Sequence, residues 1–386
     1  MYKVKLLDKI SNLGLNKFGD KYVYSREMND EDCILVRSKS LHECEFNSNL
    51  LAIARAGSGV NNIPLDECTE KGIVVFNTPG ANANAVKELV ICSLFMASRK
   101  IVESIKYVDK MDINDNIQKQ AELIKKQFAG PEIAGKKLGV IGLGAIGIKV
   151  ANAAVDLEMD VLGYDPYISV DNAWTINKKI EAVKNINRIF SECDYITLHV
   201  PANGNTKNMV NKDMLNMCKN NVKIINFSRD SLVNNHDIKD GLLSGKVGKY
   251  ISDFIVKELL GLEGVIFLPH LGASTYESED NCALMAVNEL KEYLENGNII
   301  NSVNFPGCYQ IRKSKYRICI INNNVPSVIS KISIIFSTHG LNIENMVNRS
   351  NGNIAYTLVD TNDCLSKDIV NEFNSLPDIV RFRVIH

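Results

Sequence analysis

Short apolar runs recur along this chain, separated by amphipathic stretches and polar loops. In the first hundred residues they fall at 4–7, 34–36, 51–54 and 73–76, each with the length of a buried strand rather than a helix. A longer apolar-periodic stretch at 85–99, after the loop Gly80-Ala-Asn-Ala-Asn, predicts a helix. The same rhythm resumes with strands at 137–142, 161–164, 195–200, 222–227, 250–253 and 265–269, with helical stretches between them. Alternation of this kind predicts parallel sheets covered by helices. A strong helix at 285–294 stops at Glu295-Asn-Gly-Asn, and 302–309 reads as a linker. Beyond Lys313 the pattern becomes strand–helix–strand–strand–helix–strand, at 316–321, 327–339, 342–348, 354–359, 367–374 and 379–384.

The expected fold is therefore α/β, with two doubly wound parallel-sheet domains, a flavodoxin-like one and a Rossmann one, and a small ferredoxin-like α+β domain at the end. The expected boundaries are 1–98, completed by 287–306, then 99–286, then 314–386. In open α/β sheets ligands bind beyond the carboxyl ends of the strands, so the loops after the strands are where chemistry belongs.

One such loop is specific. The apolar run Lys137-Leu-Gly-Val-Ile leads into Gly142-Leu-Gly144-Ala-Ile-Gly147, an apolar helical pattern follows, and a second strand ends on Asp165. In this arrangement Gly142 permits a tight turn, Gly144 lets backbone N–H groups approach a pyrophosphate, and Gly147 lets helix and strand pack closely. The helix N-terminus adds positive dipole. A carboxylate at Asp165 accepts hydrogen bonds from ribose hydroxyls and repels a 2′-phosphate, which favours NAD over NADP.

Composition narrows the partners. With 44 Lys and Arg against 45 Asp and Glu in 386 residues, the surface advertises neither nucleic acid nor an anionic membrane. An anionic substrate must then be held by a few local cations. Ten cysteines, scattered from Cys33 to Cys364 without a C-x-x-C pair, read as reduced core thiols with no metal site. The N-terminus, Met1-Tyr-Lys-Val-Lys-Leu-Leu, lacks the apolar stretch of a signal peptide, and a cytoplasmic protein is expected.

NAD chemistry needs a group that polarises a carbonyl and one that exchanges a proton. Asn226-Phe-Ser-Arg229 puts a guanidinium after one strand, and its planar fork suits the carboxylate and carbonyl oxygens of a 2-oxo acid. Pro269-His270-Leu-Gly-Ala puts an imidazole after another, suited to exchange the hydroxyl proton. Glu258 could hold the imidazolium, or simply be a solvated residue of a loop. Two basic loops, Val36-Arg37-Ser38-Lys39 and Arg55-Ala-Gly57-Ser58-Gly59-Val-Asn-Asn62, follow strands of the first domain. The glycines of the second suit an anion cradle or an ordinary turn. His199 reads equally as a packed strand-end residue or a reactive one.

These motifs, with Val75-Phe-Asn-Thr-Pro-Gly-Ala-Asn, Leu198-His-Val-Pro, Asp253-Phe and Pro269-His-Leu-Gly-Ala-Ser-Thr, resemble the D-isomer-specific 2-hydroxyacid dehydrogenase family in order and over essentially the whole length. The resemblance implies Arg229, His270 and Glu258 as the catalytic set. It implies NAD contacts from Thr78, Ala145, Ile146, Asp165, Val200, Pro201, Phe227, Ser228, Asp253, Gly272 and Ala273. Arg37, Ser38, Arg55, Ser58 and Gly59 would hold a phosphorylated 2-hydroxy acid. The tail resembles an ACT regulatory domain, with Asn322, Asn324 and Asn342 at positions where related tails bind L-serine. A homodimer or homotetramer is implied as well. The implied reaction is the oxidation of 3-phospho-D-glycerate to 3-phosphooxypyruvate, the entry to phosphorylated serine synthesis. A glyoxylate or hydroxypyruvate reductase and a non-catalytic NAD-sensing scaffold are the rival readings. Two departures stand out. The stretch after Asp253 is Phe-Ile-Val-Lys-Glu258-Leu, where the family writes Val-Phe-x-x-Glu-Pro, and Asp230 follows Arg229 where many relatives have Gly.

Overall fold

In the computed structural model, which describes residues 1–111 and 116–386, the chain divides into two compact units, Met1–Asn82 with Tyr276–His386, and Ala83–Thr275. The first unit opens with strands β1 (Tyr2–Leu6), β2 (Tyr22–Ser25), β3 (Cys33–Val36), β4 (Ala52–Arg55) and β5 (Val74–Phe76). They form one parallel sheet in the order β2-β1-β3-β4-β5, the flavodoxin-like arrangement. Strands buried on both faces need side chains that are apolar on both sides of the pleat, which is why Cys33-Ile-Leu-Val36 in the middle of the sheet and Val74-Val-Phe76 at its edge are unbroken apolar runs. Ile34, Val36, Ile53 and Val75 pack on one side around Ile63 and Cys68. Leu35, Ala54, Val74 and Phe76 face the other side, against Ala283, Ala286, Val287 and Leu290 of the helix Tyr276–Asn296.

The second unit holds β6 (Lys137–Ile141), β7 (Asp160–Tyr164), β8 (Glu181–Ala182), β9 (Tyr195–Leu198), β10 (Val222–Asn226), β11 (Val247–Ser252) and β12 (Val265–Phe267). Their order, β12-β11-β10-β9-β6-β7-β8 and all parallel, is the doubly wound Rossmann topology, so every carboxyl end lies along one edge. Helices Ala83–Ser98 and Ala145–Asp156 cover one face through Val86, Val90, Leu94, Val150 and Ala154. Ile189, Phe190, Leu215 and Ile238 cover the other.

This division differs from the boundaries expected from sequence. It falls before the helix Ala83–Ser98, not after it, and before Tyr276–Asn296, not inside it. A helix moves as one rod with the sheet that buries its apolar stripe. The stripe of the first packs on β6 and its neighbours, and that of the second on β1 to β5.

The chain ends in β13 (Tyr316–Asn323), β14 (Asn345–Asn351), β15 (Ile354–Thr361) and β16 (Ile379–Ile385), an antiparallel sheet in the order β14-β15-β13-β16. Helices Val328–Thr338 and Lys367–Ser375 complete the ferredoxin-like βαββαβ unit, packing Ile332, Phe336 and Phe373 on Ile318, Ile320 and Val359. The opposite face is not free. Cys319, Ile321, Tyr356, Leu358 and Ile385 continue the core of the first sheet. Buried polar groups pin this junction. The Arg317 guanidinium, wholly buried, donates to both Asp360 oxygens at 2.6 and 2.8 Å and to the Asn296 and Gln310 carbonyls. Tyr356 donates to Gly297 O at 2.6 Å, and Arg383 lies 4.3 Å over the Tyr293 ring while donating to the Tyr293 carbonyl.

Candidate active site

The glycine turn has the geometry a dinucleotide requires. Gly142 has φ +94°, a left-handed conformation in which a side chain would also meet the His199 backbone and Val200. At Gly147 a Cβ would overlap the Gly142 carbonyl oxygen, so only glycine lets the helix seat against the turn. Gly144 differs. It caps the helix Ala145–Asp156 with φ −80°, and nothing lies within 4 Å of where its Cβ would stand. That open space in front of the helix N-terminus suits a pyrophosphate. Asp165, at the end of β7, accepts from Leu143 N at 2.8 Å and from Tyr167 N at 2.8 Å. Each oxygen keeps a lone pair for a ribose hydroxyl. These residues fit NAD. Ala145 is exposed and Ile146 half-buried at the helix start.

The other implied contacts follow the carboxyl ends of β9 to β12. Val200 and Pro201 follow β9. Ser228 donates to the Leu198 carbonyl at 2.8 Å and so ties the β10 loop to β9, while Phe227 is buried. Asn226 Nδ2 donates to the Arg229 carbonyl at 2.8 Å, and the Arg229 guanidinium is exposed. On the β12 loop, His270 stands at φ +53° with its N–H donating to the carbonyls of Asp253 and Leu268. Asp253, after β11, joins the two loops. Burial pushes its carboxyl pKa up, opposed by the Gly272 N–H at 3.0 Å and by the nearby charges of His270 and Arg229. A guanidinium and an imidazole from separate loops thus bear on one buried carboxyl.

Glu258 is not part of that group. It is exposed on the turn Lys257–Leu259, anchored by buried Leu259, and among the described residues it makes no hydrogen bond or ion pair. The His270 ring instead meets Phe254 edge-on, with centroids 5.2 Å apart. Phe254 is the residue that stands one place early in the sequence, and that displacement was the available signal for this contact. His199 is half-buried, and its Nδ1 has no hydrogen-bond partner among the described residues. Thr197 Oγ1 lies 3.0 Å from its Nε2, and burial pushes its pKa down to about 3.

In the first unit the loop after β3 already holds an anion. The N–H groups of Arg37, Ser38 and Lys39 and the Ser38 hydroxyl all donate to Asp8, at 2.7 to 3.2 Å, and lower its pKa against the effect of burial. Arg37 pairs with Glu279 at 2.8 Å. Sequence reading missed Asp8. The signal was an acid ending the strand next to a basic loop. The Arg55 guanidinium packs where a Gly57 side chain would stand, Gly59 lies in the same loop, and Ser58 Oγ donates to Asn82 Oδ1 and to the carbonyl of buried Thr78. In the tail, Asn322 is buried and accepts from Thr357, Asn324 donates to Gly352 O, and Asn342 donates to Asp363 and Glu344.

Residues 91–272 match the sequence model of the D-isomer specific 2-hydroxyacid dehydrogenase NAD binding domain. That stretch, the second unit almost entire, is similar to the NAD-binding domain of that family. A D-3-phosphoglycerate dehydrogenase of Methanocaldococcus jannaschii is 32% identical over 323 residues, 81% of this chain and 59% of that protein. One of Haemophilus influenzae is 28% identical, over 89% of this chain and 83% of its own. The matched region spans only about half of two further relatives of the same name, 53% and 49%. An NAD+-bound 3-phosphoglycerate dehydrogenase from Entamoeba histolytica shares the fold, with a TM-score of 0.59 at 23% identity over 78% of this chain and 98% of its own. Among the described residues no helix is long and apolar enough to cross a membrane.

Proposed function

We propose that this chain is a cytoplasmic NAD-dependent dehydrogenase that oxidises 3-phospho-D-glycerate to 3-phosphooxypyruvate, opening a phosphorylated route to L-serine. What supports the reading is that Arg229 and His270 stand on loops after β10 and β12, close enough for their charges to act on the Asp253 carboxyl, along the strand-end edge that also presents the open glycine turn. Relatives named D-3-phosphoglycerate dehydrogenase supply the substrate.

In this mechanism bound NAD supplies the hydride acceptor. The chain does the rest. Arg229 binds the substrate carboxylate and the oxygen at C2 through its fork, fixing which hydrogen faces the nicotinamide. His270 takes the C2 hydroxyl proton as the carbonyl forms, and returns it in the reverse direction. Glu258 would steady the imidazolium only by turning towards His270 from its exposed position. Arg55, with the N–H groups of Ser58 and Gly59, would hold the phosphate, and Arg37 and Ser38 would join them by exchanging Asp8 and Glu279 for substrate. The tail we read as an ACT-like domain with L-serine as its effector, and the assembly as a homodimer or homotetramer.

The test compares kcat/KM on 3-phospho-D-glycerate and D-glycerate with NAD, in the parent and in Arg55→Ala. The reading predicts a preference for the phosphorylated acid that Arg55→Ala reduces at least tenfold, with the D-glycerate rate little changed. Equal losses on both substrates would place Arg55 elsewhere. A parent that prefers D-glycerate would favour the reductase reading.

A further inference from the structure

The helix Tyr276–Asn296 buries one face on the first sheet, but one of its carboxyl groups keeps a buried oxygen without a hydrogen bond. Glu289 is only 5% exposed. Its Oε1 accepts from Asn301 Nδ2 at 2.7 Å, whereas Oε2 is buried with no hydrogen-bond partner. This side chain lines a groove of about 690 Å³ that opens to solvent within the first unit. The volume is that of a small-molecule site. Leu284, Met285, Ile300 and Tyr309 give the groove an apolar wall, and Ile300 and Tyr309 remain exposed at its rim. Asn288 and Glu292 add polar groups, and no Lys, Arg or His lines it.

A buried carboxyl oxygen left without a hydrogen bond costs free energy, and in a folded protein such a group usually has a use. A carboxyl with one unpaired oxygen, asparagine side chains along the groove, an apolar wall and no basic residue among the lining residues together suit a primary ammonium bearing an apolar substituent. We propose that this groove binds a small organic ammonium ion, with the Glu289 carboxyl turning its now-buried Oε2 into the groove to accept from the cation and the apolar wall covering its substituent. No residue of the nucleotide turn or of the Arg229 and His270 loops takes part.

The proposal carries a thermodynamic signature. Burial pushes the Glu289 pKa up to about 8, so the carboxyl is largely neutral at pH 7. The other titratable groups lining the groove are Glu292, one turn along the helix, and Tyr309. Glu292 already accepts from Asn296 and Asn298. Entry of an ammonium ion must therefore expel a proton from Glu289. Calorimetric titration of the full chain with phenethylammonium chloride at pH 7, in two buffers of different ionisation enthalpy, reads this directly. The expected result is saturable binding with release of close to one proton per ligand, no binding of the neutral 2-phenylethanol, and Glu289→Gln binding at least tenfold more weakly without proton release. The alcohol comparison uses the parent protein, so it holds even if the variant folds poorly. The proposal is overturned by absence of binding, by equal binding of the alcohol, or by a folded Glu289→Gln that binds and releases protons as the parent does.

Discussion

Gly144 and Gly147 sit three residues apart in the same turn, yet their replacement should have opposite consequences. Gly144 has a backbone conformation open to any residue and empty space beyond it, so Gly144→Val should leave the melting temperature nearly unchanged. It should weaken NAD binding more than tenfold, because the added methyls occupy the pyrophosphate position. Gly147→Ala drives a methyl into the Gly142 carbonyl and should destabilise the protein by about 1–3 kcal/mol, with NAD affinity lost only as folding is lost. Thermal denaturation and NAD titration of both variants check the pair, and a Gly144→Val that binds NAD normally would place the pyrophosphate elsewhere. At this scale the sequence was informative wherever a motif has a fixed physical job, as Gly142, Gly147 and Asp165 do. It was silent on Asp8, whose partners come from the loop after a neighbouring strand. It also left the orientation of Glu258 open, because spacing along a chain does not say which way an exposed turn faces.

Elements were legible where burial made them so. The apolar runs at β3, β5, β9 and β10 announced themselves because both faces of those strands are covered. β2 and β8 did not, since exposed residues such as Val23, Tyr24 and Glu181 break any apolar run; β5 is an edge strand too, but it is buried on both faces. The tail was legible as a βαββαβ unit but not as a docked one. Its second apolar face, Cys319, Ile321 and Leu358, alternates with the first and so reads equally as a helix-covered sheet or an interface. Arg317 marks the docked junction. Its removal leaves Asp360, 2% exposed, as a buried uncompensated charge. Arg317→Met should therefore cost about 3–5 kcal/mol in urea denaturation. A loss below about 1 kcal/mol would mean that the junction is not held in this way.

For the molecule as a whole, stability should carry the imprint of Glu289. Its folded pKa is raised, so folding favours the protonated form. That contribution is fully present below the ordinary carboxyl pKa of about 4.3 and fades as pH rises through about 8. Glu289→Gln, which removes the titration, should flatten the fall in stability between about pH 5 and 8, and parallel curves for variant and parent would remove Glu289 as the cause. The division into two units was legible as two sheets but not at its seams, since a helix belongs to the sheet that buries it, and that partner is fixed only on folding. The central claim, that the Arg229 and His270 loops turn the nucleotide fold into a dehydrogenase, is tested most directly by NADH formation from 3-phospho-D-glycerate in the parent and in His270→Asn, a variant whose side chain tolerates the φ of +53°. The account predicts steady NADH production by the parent and a loss in kcat of about a hundredfold or more in the variant, with NAD affinity unchanged. Near-parental turnover by His270→Asn would contradict it.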